Sequence, residues 1–326
     1  MADVAREAGV SLMTVSRALN DKDGISPITR TLVYAVVDRL GYRRSGIARS
    51  LVTKHTGTLG LVVPDNSNPY FSEVARGVEH AAYAEGYNVF LCNTEEDSRR
   101  EQAVMQSLAD KQVDGIIVCS PRLQDDDLSR LLSYFPTCVL INRVIDGHSS
   151  SAIHTDDDNG AQRAVGHLIE RGHRKIGMLA GPERSFSGRL RQHGYMTALA
   201  DAGIVPDEGW VRYCLPMVDA SQEAAVDLLT RHPNLTALFC FNDLVAVGAL
   251  KACNQLGRCV PEEMAVVGFD DIPLASLVTP ALTTMHIPCY GIGLRAGKTL
   301  LDQIGGKAEK SLTVLPVELA VRASAP

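Results

Sequence analysis

The chain has 326 residues, of which 45% are hydrophobic, 21% charged and 5% aromatic, and its formal net charge is −6. This length is typical of two domains with a small addition, and the composition excludes a disordered or fibrous chain. No segment approaches the roughly 18 uninterrupted apolar residues that a membrane-spanning helix needs. The N-terminal segment is charged and amphipathic, without an apolar core or a small-residue cleavage site, which excludes a secretory signal.

The cysteines are scattered and contain no CxxC pair. Most of them lie within apolar runs such as GIIVCSP and ALFCFND, where cysteine behaves as a small core residue. This pattern favours a reducing, cytoplasmic setting and argues against a zinc cluster or a disulfide framework. The eight positions are Cys92, Cys119, Cys138, Cys214, Cys240, Cys253, Cys259 and Cys289.

The charge is distributed unevenly along the chain. Residues 1–57 carry nine Lys and Arg against five Asp and Glu, a net charge of +4, and the remaining residues have a net charge of −10. A small basic module joined to a large acidic body is typical of a polyanion-binding head attached to a second function. A solvated helical face would also account for a charge of +4, so the motifs have to decide between the two.

Residues 3–20 predict a helix, a tight turn and a second helix. Gly9 can adopt the positive φ that the turn needs, and Ser11 stands where the N-cap of the second helix belongs. Val15 and Leu19, spaced i and i+4, predict the buried face of that second helix.

A third helix is predicted directly after these two. Ser26 is its expected N-cap, Pro27 its first residue and Gly41 its C-cap. The predicted apolar stripe consists of Val33, Val36, Val37 and Leu40. The turn, the caps and the charge agree on a helix-turn-helix headpiece over residues 1–44, a motif that inserts its second helix into the major groove of DNA.

The segment DVAREAGVSLMTVSRALN, followed by a helix that ends in GY and then by ARSL, resembles the lactose-repressor (LacI/GalR) family of bacterial transcription regulators. The resemblance extends over essentially the whole chain. It implies that Leu12, Met13 and Arg17 contact base edges, where arginine can bond guanine and the apolar side chains can pack on thymine methyls. Candidates for phosphate contacts, which position the headpiece, are Ser11, Thr14, Ser16, Asn20, Ser26 and Thr29.

The resemblance also implies a hinge at residues 45–51, within a linker that we place at residues 45–57. Such a hinge is expected to become helical only on cognate DNA, with Ala48 and Leu51 in the minor groove and Leu51 wedged between base steps. A short polar segment that contains glycine is not a stable helix by itself, which agrees with this expectation. The alternative is an ordinary linker leucine.

The start of the chain departs from the family pattern. The family's first helix usually begins two or three residues before this Met1, with a Thr or Ser cap, whereas Asp3 follows here almost at once. Loss of such a cap costs about 1 kcal/mol. We expect a misassigned start rather than a headpiece that binds DNA weakly, and the intact mass of the native protein distinguishes the two.

From Thr58 onward, apolar runs alternate with amphipathic segments, which predicts parallel sheets covered by helices on both faces. Strands are expected at residues 59–64, 89–92, 115–119, 138–142, 176–180, 237–241, 266–269 and 283–287. Helices are expected at residues 71–85, 102–111, 161–171, 195–202, 222–231 and 244–256. The number of strands favours two similar lobes with a cleft between them.

The resemblance implies the same architecture, a periplasmic-binding-protein-like fold whose chain crosses between lobes near residues 157 and 287 and near the C-terminus. We therefore expect an effector-binding and dimerisation domain over residues 58–326. Its N-lobe would comprise residues 58–156 and 287–316, and its C-lobe residues 157–286 and 317–326.

Ligands of such folds bind beyond the carboxyl ends of the strands. Polar and aromatic residues occur there in the mixture that sugars need, since carboxylates, amides and guanidinium groups bond hydroxyls and aromatic faces cover the apolar side of the ring. The family motif implies Arg191, Asn242 and Asp270 as effector contacts. Further candidates are Tyr70, Phe71, Arg143, Ser187 and Met217.

The sequence argues against an enzyme. It contains no HExxH, GxSxG or GxxxxGK[ST] motif, and we expect neither a cofactor nor a metal. The acidic run at residues 156–158 begins a predicted helix, where carboxylates complement the helix N-terminus, so capping is favoured over metal binding. Asp243 is likewise expected to act as a helix cap.

We therefore expect a cytoplasmic transcriptional repressor that binds a palindromic operator as a homodimer and is controlled by a small molecule, with a sugar favoured. The chain ends without apolar heptads, so no tetramerising segment is expected. NPYF and LCNTE look most like the ribose- and purine-type members of the family, so a purine corepressor is the first alternative. The second is a sugar-binding module whose headpiece has lost DNA binding, which salt-sensitive binding to duplex DNA would exclude.

Overall fold

A computed structural model of the chain describes residues 1–42, 55–147, 150–307, 309 and 311–326. The chain divides into two compact units, Met1–Thr56 and Gly57–Pro326. The hinge predicted at residues 45–51, with Ala48 and Leu51, lies outside the described residues. None of the helices in the described ranges combines the length and the apolar character needed to cross a membrane.

The first unit contains three helices, α1 (Ala2–Ala8), α2 (Leu12–Leu19) and α3 (Pro27–Arg39). Gly9 has the predicted left-handed conformation, with φ of 63°, and turns the chain from α1 to α2. The Ser11 side chain caps α2 by accepting a hydrogen bond of 3.1 Å from the backbone N–H of Thr14. Ser26 and Thr29 repeat this arrangement at the start of α3. These predictions of the turn and of both caps are confirmed.

The core of the first unit is small. It consists of Val4, Ala5, Ala8, Val15, Ala18, Leu19, Val33 and Val36, all of them short or medium side chains. The predicted stripe on α3 is wrong at Leu40, which is 45% exposed. The reason is that the helix ends at Arg39. The C-cap is therefore Leu40 and not Gly41 as predicted, and Gly41 follows in the left-handed conformation.

The second unit is built on parallel sheets, as predicted. A six-stranded sheet has the order β11-β5-β4-β3-β1-β2, a four-stranded sheet has the order β7-β6-β8-β9, and β10 pairs antiparallel with β12. The strands are β1 (Thr58–Val63), β2 (Asn88–Asn93), β3 (Gly115–Cys119), β4 (Cys138–Ile141), β5 (Ser151–Thr155), β6 (Ile176–Ala180), β7 (Val211–Tyr213), β8 (Ala237–Cys240), β9 (Ala265–Val267), β10 (Thr284–His286), β11 (Leu312–Leu315) and β12 (Glu318–Ala320).

Helices separate most of these strands. They are α4 (Pro69–Ala84), α5 (Ser98–Asp110), α6 (Asp125–Leu132), α7 (Asp157–Glu170), α8 (Phe186–Asp201), α9 (Val218–Arg231), α10 (Asp243–Gln255), α11 (Leu274–Leu277) and α12 (Cys289–Ile304). The chain leaves the larger sheet after β5 and builds the smaller sheet. It then returns through β10 and α12 to β11, and ends after β12. The unit therefore has two lobes, one around each sheet, which confirms the predicted fold class.

Several helices begin earlier than predicted, and α6 and α11 were not among the predicted helices. The helix expected at 195–202 begins nine residues earlier, at Phe186, and this extension carries the functional side chains described below. Helix α12 was not predicted, because its three glycines weaken the local helical signal. One of them, Gly293, has a structural purpose: a Cβ there would lie 1.9 Å from the backbone oxygen of Val74, so glycine lets α12 cross α4 closely.

Candidate functional site

A partly open cavity lies at the carboxyl ends of strands from both sheets, where small-molecule ligands of such folds bind. Residues of the larger sheet's lobe form one wall, and residues of the smaller sheet's lobe form the other. Its lining consists of Asn68, Tyr70, Phe71, Glu96, Ser120, Arg122, Asn142, Ser185, Ser187, Arg191, Pro216, Phe241, Asn242 and Asp270.

Six of the eight predicted effector residues belong to this lining: Tyr70, Phe71, Ser187, Arg191, Asn242 and Asp270. Two others do not. The buried Arg143 donates a hydrogen bond of 2.6 Å to Asp125 instead. Met217 is 54% exposed, and the lining contains its neighbour Pro216 in its place.

Arg191 organises the wall formed by the smaller lobe. Its Nε donates to Asp157 Oδ1 at 2.7 Å, and its Nη1 donates to the Phe241 carbonyl oxygen at 2.6 Å. Nη1 also lies 3.5 Å from Asp270 Oδ1, and the guanidinium carbon lies 3.7 Å from the centre of the Phe269 ring. All of these groups are buried, so the guanidinium is held by charge pairs and an aromatic face at once.

Asp270 lies three residues after the end of β9, with a φ of 111°, a conformation that L-residues rarely adopt. Burial raises the pKa of its carboxyl to about 7, although the nearby Arg191 opposes the rise. The carboxylate is thus poised to change its charge near neutral pH, and it faces the cavity.

The adjacent Asp243 is a correction to the sequence analysis. The cap of α10 is Asn242, whose side chain accepts from the backbone N–H of Val245 at 3.0 Å. Asp243 is fully buried and accepts hydrogen bonds from the Thr284 hydroxyl and the Ile272 N–H instead. Burial and the neighbouring Asp270 raise the pKa of its carboxyl. Asn242 therefore both caps a helix and lines the cavity.

The first two of the three aspartates at the start of α7 have different roles. Asp156 caps the helix through the backbone N–H of Asn159, as predicted. Asp157 is fully buried and accepts hydrogen bonds from both Arg191 and the Thr155 hydroxyl. The sequence signalled the cap but gave no sign that the second aspartate anchors the cavity's arginine.

The opposite wall carries an aromatic and amide cluster. The Tyr70 and Phe71 rings meet edge to face, with centroids 5.0 Å apart. Asn142 Nδ2 donates to the Tyr70 hydroxyl at 2.8 Å and to Ser120 Oγ at 3.2 Å. Ser120 and Asn142 both have positive φ, of 48° and 55°, at the ends of their strands. Such strained backbone positions are typical of functional sites.

Two buried polar atoms of the lining have no hydrogen-bond partner among the described residues, Asn142 Oδ1 and Ser187 Oγ. Buried polar atoms are normally satisfied, so an unpartnered one at a cavity indicates a position that a ligand or a water molecule completes. These two atoms come from opposite walls of the cavity, one from each lobe.

Sequence reasoning missed a charged pair in this lining, Glu96 and Arg122. Arg122 Nε donates to Glu96 Oε2 at 2.5 Å, and its Nη2 donates to Oε1 at 3.1 Å, so the pair is bidentate. Behind it, the buried Glu101 accepts from the Arg122 backbone N–H, and burial raises the pKa of its carboxyl to about 7. The signal that could have found the pair is their position directly after β2 and β3.

The first unit carries a second candidate surface, on α2 and the start of α3. Leu12 and Met13 are 53% and 66% exposed and are adjacent on the same helix. Arg17 is also exposed, and it makes no ion pair with a described residue. An exposed cation beside two exposed apolar side chains on one short helix is suited to contact base edges.

A shallow concavity on this surface brings the two capped helix N-termini together. Helix N-termini carry partial positive charge and free N–H groups, so they attract phosphate. Its lining consists of Ser11, Met13, Thr14, Arg17, Gly24, Ile25, Ser26 and Thr29. Ser16 and Asn20 lie outside this lining, where Asn20 Nδ2 donates to the Ser16 carbonyl oxygen at 2.7 Å.

Comparison with known proteins places both units in one family. A family model described as "Bacterial regulatory proteins, lacI family" matches residues 1–45, and one described as "Periplasmic binding proteins and sugar binding domain of LacI family" matches residues 56–320. The HTH-type transcriptional repressor PurR of Proteus mirabilis is 36% identical over 314 residues, which cover 96% of this chain and 92% of that protein. The regulator GalS of Salmonella typhimurium is 35% identical over 311 residues, with 95% and 92% coverage.

Solved structures agree with the sequence matches. The lac repressor dimer bound to operator and the anti-inducer ONPF has a TM-score of 0.87 and 27% identity, with 99% of this chain and 98% of that chain covered. The transcriptional regulator CelR–cellobiose complex has a TM-score of 0.76 and 33% identity, with 98% of both chains covered. The chain therefore belongs to the LacI family of bacterial regulatory proteins, as a DNA-binding transcriptional regulator and not an enzyme.

Proposed function

We propose that this protein represses transcription in the cytoplasm by binding a palindromic operator as a homodimer, and that a sugar in the cavity controls operator affinity. One observation carries the proposal: a single chain combines an exposed face suited to base edges with a cavity lined by carboxylate, amide, guanidinium and aromatic groups. The first suits a duplex, and the second suits a small polar molecule.

The named ligands of similar proteins support this proposal. The lac repressor structure holds operator and an anti-inducer on a dimer, and CelR holds cellobiose. In the present cavity, Arg191, Asn242 and Asp270 are the proposed effector contacts of the smaller lobe, with Tyr70 and Phe71 opposite. Because both lobes contribute lining residues, a ligand that bridges them would change how closely the lobes approach each other. Operator affinity can then depend on the effector.

A purine corepressor is the second candidate. The edge-to-face pair of Tyr70 and Phe71 favours it, since an aromatic wall can stack on a flat base. On the other wall, however, Phe241 lies against the Arg191 guanidinium, 5.1 Å from ring centre to Cζ. The two walls therefore differ: one carries the aromatic pair, and on the other the aromatic ring lies against an arginine. A sugar needs one apolar face and many hydrogen bonds, so it fits this arrangement better than a purine does.

The test begins with DNA. Full-length protein is used to select duplexes from a random library, and the enriched sequence is then titrated by fluorescence anisotropy at 50 and 200 mM salt. We expect a palindromic sequence and a steep loss of affinity with salt, because phosphate contacts release counterions. Absence of any enriched duplex would exclude the repressor and leave the sugar-binding module.

The effector is then sought by adding pentoses, hexoses, disaccharides and purines to the protein–duplex complex. A sugar that lowers operator affinity supports the proposed inducer. A purine that raises operator affinity supports the corepressor instead. The R191A variant separates effects in the cavity from effects on the duplex, because its DNA-contacting residues are unchanged.

A further inference from the structure

The charges that line the cavity are already balanced by the protein. Arg191 is paired with two buried carboxylates, those of Asp157 and Asp270. Arg122 is paired with Glu96 in a bidentate arrangement in which the side chains are only 5% and 12% exposed. Within the described part of the lining, each guanidinium therefore has its own carboxylate partner.

At each helix N-terminus of the cavity, a side chain of the protein already binds one backbone N–H. Helices α4, α8 and α10 begin there with Asn68, Ser185 and Asn242 as N-caps. Each of these side chains accepts a hydrogen bond from a backbone N–H of its own first turn. N–H groups that would otherwise attract an anion are thus partly satisfied by the chain itself.

The atoms that remain available include acceptors for a ligand that donates hydrogen bonds. Asn142 Oδ1 is an acceptor, because the amide nitrogen of this side chain is already used by Tyr70 and Ser120. Ser187 Oγ can donate or accept, and the carboxylate of Asp270 accepts when ionised. Sugar hydroxyls can donate to such acceptors, whereas a phosphate dianion offers acceptors only.

From these contacts we infer that the effector carries no net charge, and that the Glu96–Arg122 pair makes the cavity select an uncharged sugar over the phosphate ester of the same sugar. The inference rests on the proposed function, since it specifies the chemical class of the ligand at the same site. The physical reason is that a phosphate would be removed from water into a cavity whose cations are neutralised and whose carboxylates would repel it.

The test is isothermal titration calorimetry of the full-length protein with matched pairs: ribose and ribose 5-phosphate, glucose and glucose 6-phosphate, fructose and fructose 6-phosphate, together with adenine and guanine. We expect at least one uncharged sugar to bind, and its phosphate ester to bind at least about 100-fold more weakly. A roughly 100-fold ratio of Kd values corresponds to two unfavourable charge contacts of ~1.4 kcal/mol each. This ratio is measured on the unmodified protein and does not depend on any variant.

Glu96→Gln supplies a gain-of-function test. It leaves Arg122 with an unneutralised charge at the cavity, so the affinity for the phosphate ester should rise at least about tenfold relative to the parent sugar. The matched control is Glu95→Gln. Glu95 has the same left-handed backbone conformation, but it lies outside the lining and pairs with the exposed Arg100 at 2.6 Å, so E95Q should leave the ratio unchanged.

The outcomes separate this inference from the proposed function. Equal or tighter binding of the phosphate ester by the unmodified protein would overturn the inference and leave the sugar proposal intact. Binding of a purine base alone would overturn the sugar proposal while agreeing with an uncharged ligand. If no member of the panel binds, both are wrong for this cavity.

Discussion

The two recognition surfaces of this protein are built on opposite principles. On α2, the side chains proposed to contact base edges, Leu12, Met13 and Arg17, are exposed, and Arg17 makes no ion pair with a described residue. In the cavity, the corresponding arginine, Arg191, is buried and holds two carboxylates, a carbonyl oxygen and an aromatic ring. On α2 the arginine is available to bind DNA, whereas in the cavity the arginine binds groups of the protein itself.

The difference follows from what each partner supplies. Duplex DNA brings its own dense negative charge, so an unpaired arginine on the protein gains affinity through that charge. A small neutral molecule brings only hydroxyl groups and ring faces, so the protein must hold its polar groups in place beforehand. Mutation of the exposed Arg17 should therefore affect binding alone, whereas mutation of the buried Arg191 should affect folding together with binding.

The largest effect is expected for Arg191→Ala. It leaves Asp157 and Asp270 buried without their cation, so the free energy of unfolding of the second unit should fall by about 3–5 kcal/mol, and effector binding should be lost. Urea denaturation followed by circular dichroism measures the change. Arg189→Ala, an exposed position on the same helix, is the control and should change stability by less than about 0.5 kcal/mol. A loss below about 1 kcal/mol for R191A would show that the two surfaces do not differ in this way.

Arg17→Ala should weaken binding to the selected operator by about 1–3 kcal/mol without lowering the thermal stability of the protein, because the side chain is exposed and unpaired. Fluorescence anisotropy on the operator and on a scrambled duplex measures the effect. The contrasting variant is Arg30→Ala, which removes an ion pair to Asp21 and a bond to the Ala18 carbonyl, and should destabilise the headpiece instead. Equal losses on both duplexes for R17A would reassign Arg17 to phosphate contact.

The pH dependence should also differ between the two surfaces. Burial raises the pKa of Asp270 to about 7, above the ~3.9 of an exposed aspartate. The folded protein therefore binds more protons than the unfolded chain between about pH 4 and 7, so its ligand-free stability decreases as pH rises through this window. A hydroxyl that donates to Asp270 needs the ionised form, so effector affinity should fall below pH 7, by at most tenfold per pH unit.

Calorimetry with the identified effector at pH 6 and pH 8 tests this expectation. Asp270→Asn fixes the charge of this side chain at zero, so any remaining affinity should depend less on pH over that range, with Glu101, whose pKa burial also raises to about 7, as a remaining titratable group. An unchanged pH dependence in D270N would assign the titration to another group.

The smallest effect is expected for Ser11→Ala. The Ser11 hydroxyl caps α2 through the backbone N–H of Thr14, and loss of such a cap costs about 1 kcal/mol. Hydrogen exchange of the α2 amides in the full-length protein should accelerate about fivefold, with the second unit unaffected. Ser16→Ala, which removes no cap, is the control. Faster exchange in both units would mean that the cap supports more than the headpiece.

The sequence by itself determined most of the framework. Continuous apolar runs located β1, β3, β4, β6 and β8 to within a residue or so at either end, because buried parallel strands are apolar throughout. The turn at Gly9 and the caps at Ser11 and Ser26 were equally local, since each depends on one residue type at one position.

Elements without a strong local pattern were decided by tertiary structure. The strand β5 is polar at both ends, and β11 lies half exposed at the sheet edge, so neither shows an apolar run. Helix α12 is rich in glycine, and its stability comes from close packing on α4, a contact that no sequence window contains.

The residues of the cavity were likewise predicted from the sequence only in part. The rule that ligands bind beyond strand ends led to Tyr70, Phe71, Ser187, Arg191, Asn242 and Asp270, and all six line one cavity. The same rule could not distinguish between adjacent residues at a strand end. The structure places Asn142, which has a positive φ, in the lining, whereas the side chain of Arg143 donates to Asp125.

That Glu96 and Arg122 form an ion pair could not be predicted from their positions after β2 and β3, for a related reason. Its members are 26 residues apart and follow different strands, and only the parallel order of β2, β1 and β3 brings them together. The sequence thus determined the type of protein and the edge at which it binds a ligand. Which charges meet there, and which stay free, was decided by packing between distant segments.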